Sequence, residues 1–173
     1  MNYELMRPMF EAFQVHKKRA TGVVQWMLNA AWPKMYWQLY DYYLNPTGAF
    51  YATQKACLPL SLIYNYGDNQ IYLVNDYLYD IEDLQVFIRV FDIDSNLLFE
   101  KTVSTGALKD SSKSICELGE IENLTSTYFL DLRLLATDKK EVATNFYWLS
   151  TKEEILDYGA EYRYYGAEDS KGS

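Results

Sequence analysis

The chain has 173 residues, of which 49% are hydrophobic and 23% charged, enough for one domain plus an appendage and too apolar for intrinsic disorder. Its net charge of −8, with no Lys/Arg cluster to offset it, excludes a nucleic-acid partner, because a polyanion is repelled. No apolar run approaches the roughly 20 residues of a membrane-spanning helix, so no membrane partner is expected.

Aromatic residues make up 17% of the chain, and Tyr alone occurs 17 times. Tyr combines a flat apolar face with a polar tip, which suits sheets, interfaces and sugar-facing surfaces. Met1 is followed by Asn2-Tyr3-Glu4 rather than a basic and then an apolar region, so no signal peptide is read. An internal fragment would also lack one, and the compartment stays undecided. Cys57 and Cys116 have no Trp between them, unlike a true immunoglobulin pair, and are expected to be free and buried. No metal site and no cofactor are expected, since the single histidine, His16, lies in the basic run His16-Lys17-Lys18-Arg19, away from both cysteines. That run reads as a helix end, where cations complement the dipole. Asn123-Leu124-Thr125 matches the short glycosylation triplet.

In chain order, residues 3–18 read as a helix with Met6, Met9, Phe10 and Phe13 on one stripe. Pro8 is compatible with it if the helix starts near Glu4 or kinks there. Thr21-Gly22 is a break. Residues 23–28, Val-Val-Gln-Trp-Met-Leu, read as a strand apolar on both faces, the type found in a parallel sheet covered on both sides. One such strand cannot make a sheet alone, so it points to missing neighbours. Residues 34–44 are very aromatic and expected to be helical in part. Asn45-Pro46-Thr47-Gly48 is a turn, and residues 50–56 a short helix stopped before Pro59.

From Leu60 the period changes to two. Strands are expected at residues 60–66, 71–74, 84–91, 97–103, 114–118, 128–134 and 142–149, with hairpin turns at Asp94-Ser95-Asn96 and Asp138-Lys139-Lys140. Leu84, Val86, Ile88, Val90, Tyr128, Leu130, Leu132 and Leu134 are expected to face inward. About seven strands in some 90 residues, with one polar face, are the signature of an immunoglobulin-like antiparallel sandwich. Thr151-Lys152-Glu153-Glu154 is a capping box expected to open a short helix to residue 158.

The chain carries no phosphate loop, no Ser-His-Asp set and no metal-ligand cluster. The close carboxylates Asp92/Asp94 and Glu153/Glu154 fall on a hairpin and a helix cap. The residues alone therefore offer no catalytic group.

The stretch Gly22-Val23-Val24-Gln25-Trp26-Met27-Leu28-Asn29-Ala30-Ala31-Trp32-Pro33 is followed by Tyr36-Trp37-Gln38-Leu39-Tyr40-Asp41-Tyr42-Tyr43, Gly48-Ala49-Phe50-Tyr51 and Lys55-Ala56-Cys57. It resembles the end of the catalytic barrel of family 2 glycoside hydrolases, of the exo-β-D-glucosaminidase and β-mannosidase types. Pro59-Leu60-x-x-Ile63-Tyr64 resembles the entry to that family's immunoglobulin-like domain, and Asn145-Phe146-Tyr147-Trp148-Leu149-Ser150 its final strand.

The resemblance implies a mainly β fold: an immunoglobulin-like sandwich preceded by a helical remnant of a (β/α)8 barrel. The implied division is residues 1–57 for the barrel end, 58–150 for the sandwich, and 151–173 for a short helix and linker. Residues 23–28 would be barrel strand eight. The two catalytic glutamates would lie upstream of Met1, and neither Glu4 nor Glu11 matches them. Trp26, Asn29 and Trp32 would then line the parent's substrate pocket at the strand's C-terminal end, offering ring faces and an amide to a sugar, while Trp37, Tyr40 and Asp41 would pack between barrel and sandwich. The partner would be carbohydrate, through the missing barrel. The exposed remnant would allow self-association, and the parent would be periplasmic or secreted. A reading from another class is a free-standing immunoglobulin-like module that binds carbohydrate or protein.

Overall fold

A computed structural model describes residues 2–34 and 38–152. Its elements are helices α1 (Asn2–Val15) and α2 (Gly48–Ala56), then strands β1 (Leu60–Asn65), β2 (Gln70–Asn75), β3 (Ile81–Phe91), β4 (Leu97–Ala107), β5 (Ser111–Glu117), β6 (Thr127–Leu135) and β7 (Glu141–Ser150). All seven expected strands are present. They form two antiparallel sheets, β1-β2-β5 and β4-β3-β6-β7.

The core lies between the sheets. Leu84, Val86, Ile88 and Val90 of β3 are buried against Leu130, Leu132 and Leu134 of β6, facing Leu62, Ile71 and Leu73 of the other sheet. Tyr128 packs against this cluster but is only partly buried. The two anticipated hairpins rest on residues in the left-handed region, Ser95 (φ 67°) and Lys139 (φ 62°). The Asp92 carboxylate closes the first of them, accepting from the backbone N–H of Asp94 (3.0 Å) and Asn96 (2.7 Å) and from the Asn96 amide (2.8 Å). Asn96 thereby holds Asp92 below the usual carboxylate range, so this residue is a turn former.

The N-terminal region covers the outside of β1 and β2. Val15 packs on Ile63 and Val74, which buries β1 on both faces. Lys17 continues the clasp, pairing with Asp76 (2.5 Å) and Asp110 (2.7 Å). Helices α1 and α2 meet through Met6 and Phe10 against Ala49, Ala52 and Ala56. The approach is close: a Cβ at Gly48 would come within 3.3 Å of the Tyr3 backbone nitrogen. Thr47 caps α2, its hydroxyl accepting from the Ala49 N–H.

Several expectations are corrected. Helix α1 buries Met6, Arg7, Phe10, Glu11 and Val15, while Met9 is exposed and Phe13 half-buried. The buried face carries an ion pair, so apolar spacing placed Met6 and Phe10 inside correctly but misplaced Met9 and missed Arg7 and Glu11. Pro8 lies inside the helix, beyond its first turn. Residues 23–28 form no strand, because no neighbouring strand supplies a hydrogen-bond ladder; Asn29 makes only an isolated parallel bridge with Tyr40. Both cysteines are free, but Cys57, just past the end of α2, is exposed while Cys116 is buried. Residues 38–44 contain no helix. Residues 35–37 and the helix expected from the capping box lie outside the described residues.

Candidate functional site

Two places carry the chemistry of this chain. One is the junction between α1 and the sandwich; the other is the segment that holds Trp26, Asn29 and Trp32.

At the junction, Arg7 (1% exposed), Glu11 (2%) and Tyr147 (0%) are buried together with Asn145. Positions 7 and 11 share a helix face because they are four apart. Positions 145 and 147 share the inner face of β7 because they are two apart. The Arg7 Nη1 donates to Asn145 Oδ1 (3.1 Å) and to the Phe146 carbonyl (2.6 Å), and Nη2 donates to Glu4 Oε2 (2.9 Å). Its guanidinium also lies 4.2 Å from the centroid of the Tyr147 ring. Glu11 accepts from Asn145 Nδ2 (2.8 Å) and the Tyr147 hydroxyl (3.1 Å), with the Arg7 Nε 3.8 Å away. The Tyr147 hydroxyl accepts in turn from the Tyr64 N–H (3.0 Å), and Asn145 Nδ2 reaches the Leu62 carbonyl (3.0 Å).

Burial pushes the Glu11 carboxyl above its ordinary value, against the opposing pull of Arg7, Asn145 and Tyr147. Burial also works against the charge of Arg7, but Glu11, Tyr147 and Glu4 together outweigh it and raise Arg7. Burial and the Glu11 carboxylate raise Tyr147 well above a normal phenol. Every oxygen of Glu11 is occupied by a neighbour and sealed from solvent. The group is a fastener, without access to a substrate proton.

Beside the junction is a cleft of about 440 Å³, lined in part by Lys55, Asp131, Arg133, Glu141 and Thr144. Its charges compensate one another. Asp131 is shared between Arg89 and Arg133, and Arg133 reaches Glu141 at 3.5 Å. Lys55 is pushed down by burial and by nearby Arg7, and donates to the Thr144 hydroxyl (3.2 Å).

The three sequence-derived site residues lie elsewhere, on one irregular segment. Trp26 is 78% and Trp32 60% exposed. Asn29 is exposed between them. Within this segment the Tyr40 N–H donates to the Leu28 carbonyl (3.0 Å), and Ala30 is buried. The Lys34 ammonium sits 4.7 Å over the Trp32 ring. None of the three lines a cleft described here. Among the described residues no group of three or more His, Cys, Asp or Glu is placed to hold a metal, and no helix is long and apolar enough to cross a membrane.

The sequence reading missed Arg7, Glu11 and the inward polar pair Asn145 and Tyr147. The available signal was an Arg-x-x-x-Glu pair on one helix together with a polar residue on the inward phase of an alternating strand.

Residues 67–152 match the Mannosidase Ig/CBM-like domain family. An exo-β-D-glucosaminidase of Streptomyces avermitilis is 33% identical over 170 residues, which is 94% of this chain and 19% of that protein. The crystal structure of the Amycolatopsis orientalis exo-chitosanase CsxA matches with TM-score 0.82 and 30% identity, over 91% of this chain and 19% of that one. A β-D-mannosidase from Dictyoglomus thermophilum shares the fold, with TM-score 0.67 and 19% identity, over 82% of this chain and 18% of that one. The chain thus spans less than a fifth of the length of these relatives.

Fold and matches together define the class: the sandwich is a Mannosidase Ig/CBM-like domain of the family 2 glycoside hydrolases. Within that class the chain is homologous to the exo-β-D-glucosaminidases and β-mannosidases, and it corresponds to their C-terminal region.

Proposed function

We propose that this chain is the non-catalytic C-terminal portion of a larger exo-acting β-glycosidase. Residues 1–57 are the end of its (β/α)8 barrel, residues 58–150 its immunoglobulin-like domain, and residues 151–173 a linker onward. The parent cleaves terminal β-glycosides, with β-glucosaminides preferred over β-mannosides. It works by a retaining mechanism, with two carboxyls about 5–5.5 Å apart contributed by sequence outside these 173 residues. Trp26, Asn29 and Trp32 belong to its substrate pocket, the Trp faces against the apolar face of the sugar and the Asn amide toward its hydroxyls.

The observation that carries this reading is the exposed apolar surface of the N-terminal region. Val24, Trp26, Leu28 and Trp32 are exposed in sequence, and Leu5 and Met9 are exposed on the helix before them. So much apolar surface in one region marks a contact with something else. A covering barrel accounts for it; a free-standing binding module leaves it without a purpose. The same surface favours self-association of the chain when the barrel is absent.

The test is an assay of the chain, the parent and the parent's Trp26→Ala variant on nitrophenyl β-glucosaminide, β-mannoside and β-galactoside. The chain alone should hydrolyse none of them, because general acid–base assistance alone contributes about 10²–10⁴-fold and both groups are missing. The parent should favour the glucosaminide, and Trp26→Ala should lower its kcat with the fold intact. Activity in the chain alone overturns the reading. A variant with unchanged kcat/KM returns Trp26 to packing.

A further inference from the structure

Strands β4 and β5 are outer strands of their two sheets, and the turn between them carries the chain from one sheet to the other. That turn is fixed from the core side: the buried Asn75 amide donates to the carbonyls of Ala107 (3.3 Å) and Leu108 (3.1 Å). Counting outward from it, positions on β4 come opposite positions on β5 across the open edge of the sandwich. Lys113 Nζ donates there to Thr105 Oγ1 (2.9 Å), and further along Lys101 Nζ donates to Cys116 Sγ (3.2 Å). From this juxtaposition we propose that Lys101 and Cys116 are a modification site: hydrogen peroxide converts the thiol to a sulfenic acid, which the lysine amine captures as a sulfur–nitrogen cross-link between the two sheets.

Strand alternation aims both side chains inward. Lys101 stands opposite Ile88 in its ladder and Cys116 opposite Ile71, and both isoleucines are fully buried. Residues opposite one another share a face. A lysine turned inward is a common guard of an exposed sheet edge, but a guard needs no thiol against its amine. The Cys116 thiol also donates to the neighbouring Glu117 carbonyl (3.0 Å). The residue is 8% exposed, at an edge where a molecule as small as hydrogen peroxide has only one flexible lysine stem to pass. Cys57 is free as well, so neither cysteine is committed to a disulfide.

Hydrogen peroxide is the one co-reactant. The Cys116 thiol gives up its proton and its sulfur attacks a peroxide oxygen. The O–O bond breaks, a sulfenic acid forms, and the other oxygen leaves as water; the sulfur is oxidised by two electrons and the peroxide is reduced. The Lys101 amine, in its neutral form, then attacks the sulfur with its lone pair. The S–O bond breaks and the hydroxyl departs as water with a proton from the nitrogen. In total one peroxide becomes two waters, and the protein loses two hydrogen atoms. Sulfenic acids condense in this way with backbone nitrogen. Here the nitrogen is an amine already 3.2 Å from the sulfur, the separation of a near-attack pair.

The test treats the 173-residue chain, carrying Cys57→Ser, with excess hydrogen peroxide and maps its peptides by mass spectrometry. The expected product joins the peptides that hold residues 101 and 116, with a mass loss of about 2 Da, and dithiothreitol restores both. Its melting temperature should rise above that of the reduced chain and fall back on reduction, because the link ties the sheets together. Lys101→Arg keeps the positive charge, but a guanidinium stays protonated and has no lone pair to offer the sulfur. That variant should give no cross-link, and its Cys116 should go on to the sulfinic acid, a gain of about 32 Da. The Lys101 chain treated in denaturing urea should also stay unlinked, because the contact is then lost. Sulfinic acid at Cys116 to the same extent with Lys101 as with Arg would overturn the proposal. So would a Cys116 left unmodified, or a cross-link formed equally well in urea.

Discussion

The two regions of this chain solve the problem of burying apolar surface differently. The sandwich is closed: its large inward residues on β3 and β6 are covered by the opposite sheet, and its outward positions carry ion pairs such as Arg89–Asp131–Arg133. The N-terminal region is open: α1 and α2 cover each other and α1 covers the outside of β1 and β2, but residues 23–32 leave Trp and aliphatic side chains in solvent. On the reading proposed above, that exposed surface is where the rest of the parent packs. Beside the Val15 contact and the Lys17 clasp, the two regions are joined by a buried polar fastener, Arg7–Glu11–Asn145–Tyr147, and that fastener is where the comparison can be broken first.

Removing half of a buried ion pair leaves the other charge without compensation. Glu11→Leu should therefore cost about 3–5 kcal/mol, and the Arg7→Met/Glu11→Leu double variant should recover much of that loss. Denaturant melts of the single and double variants provide the check; additive losses would mean that the two residues act independently.

Within the sandwich, Ile88→Ala removes a fully buried side chain from the centre of β3 and should cost about 2–5 kcal/mol through lost burial and a cavity. A loss below about 0.5 kcal/mol would mean that the inward face is misassigned.

The fastener also has a pH signature. Because burial raises the Glu11 carboxyl in the folded state, the folded chain binds that proton more tightly than the unfolded one. Its contribution therefore grows as pH falls from above the folded value toward the ordinary 4.5, and is constant below that. Asp110 acts in the opposite sense: Lys17 holds it low, so its contribution is present above the ordinary carboxylate range and is lost as pH falls through the folded value. Comparing the pH dependence of stability for the wild type and Glu11→Gln isolates the first effect, which should vanish in the variant.

The smallest effect belongs to the open region. Trp26→Ala in the isolated chain should change stability by no more than about 0.5 kcal/mol, as for other exposed positions. A larger loss would place Trp26 in a core of this chain rather than at the boundary of a missing one.

How much was legible follows the same division. Strand alternation at residues 84–91 and 128–134 reports directly on a closed two-faced sheet, so all seven strands and the inward set could be read, apart from Tyr128, which stays partly exposed. The α1 face could be read only in part: Met6 and Phe10 are inside as expected, but Arg7 and Glu11 are buried by one another and by Asn145 and Tyr147, which lie more than 130 residues away. Residues 23–28 carry a strand's composition, but a strand needs partners, and composition does not supply them. Trp26, Asn29 and Trp32 were readable as a group through the resemblance; their role depends on the surface that would cover them.

The most direct measurement is amide hydrogen exchange on the isolated chain and on its parent. Amides of β3 and β6 should be protected to the level of global unfolding in both. Amides of residues 22–32 should exchange almost freely in the isolated chain and become strongly protected in the parent. Protection of residues 22–32 equal to that of β3 in the isolated chain would show that the N-terminal region is complete by itself, and would contradict the account.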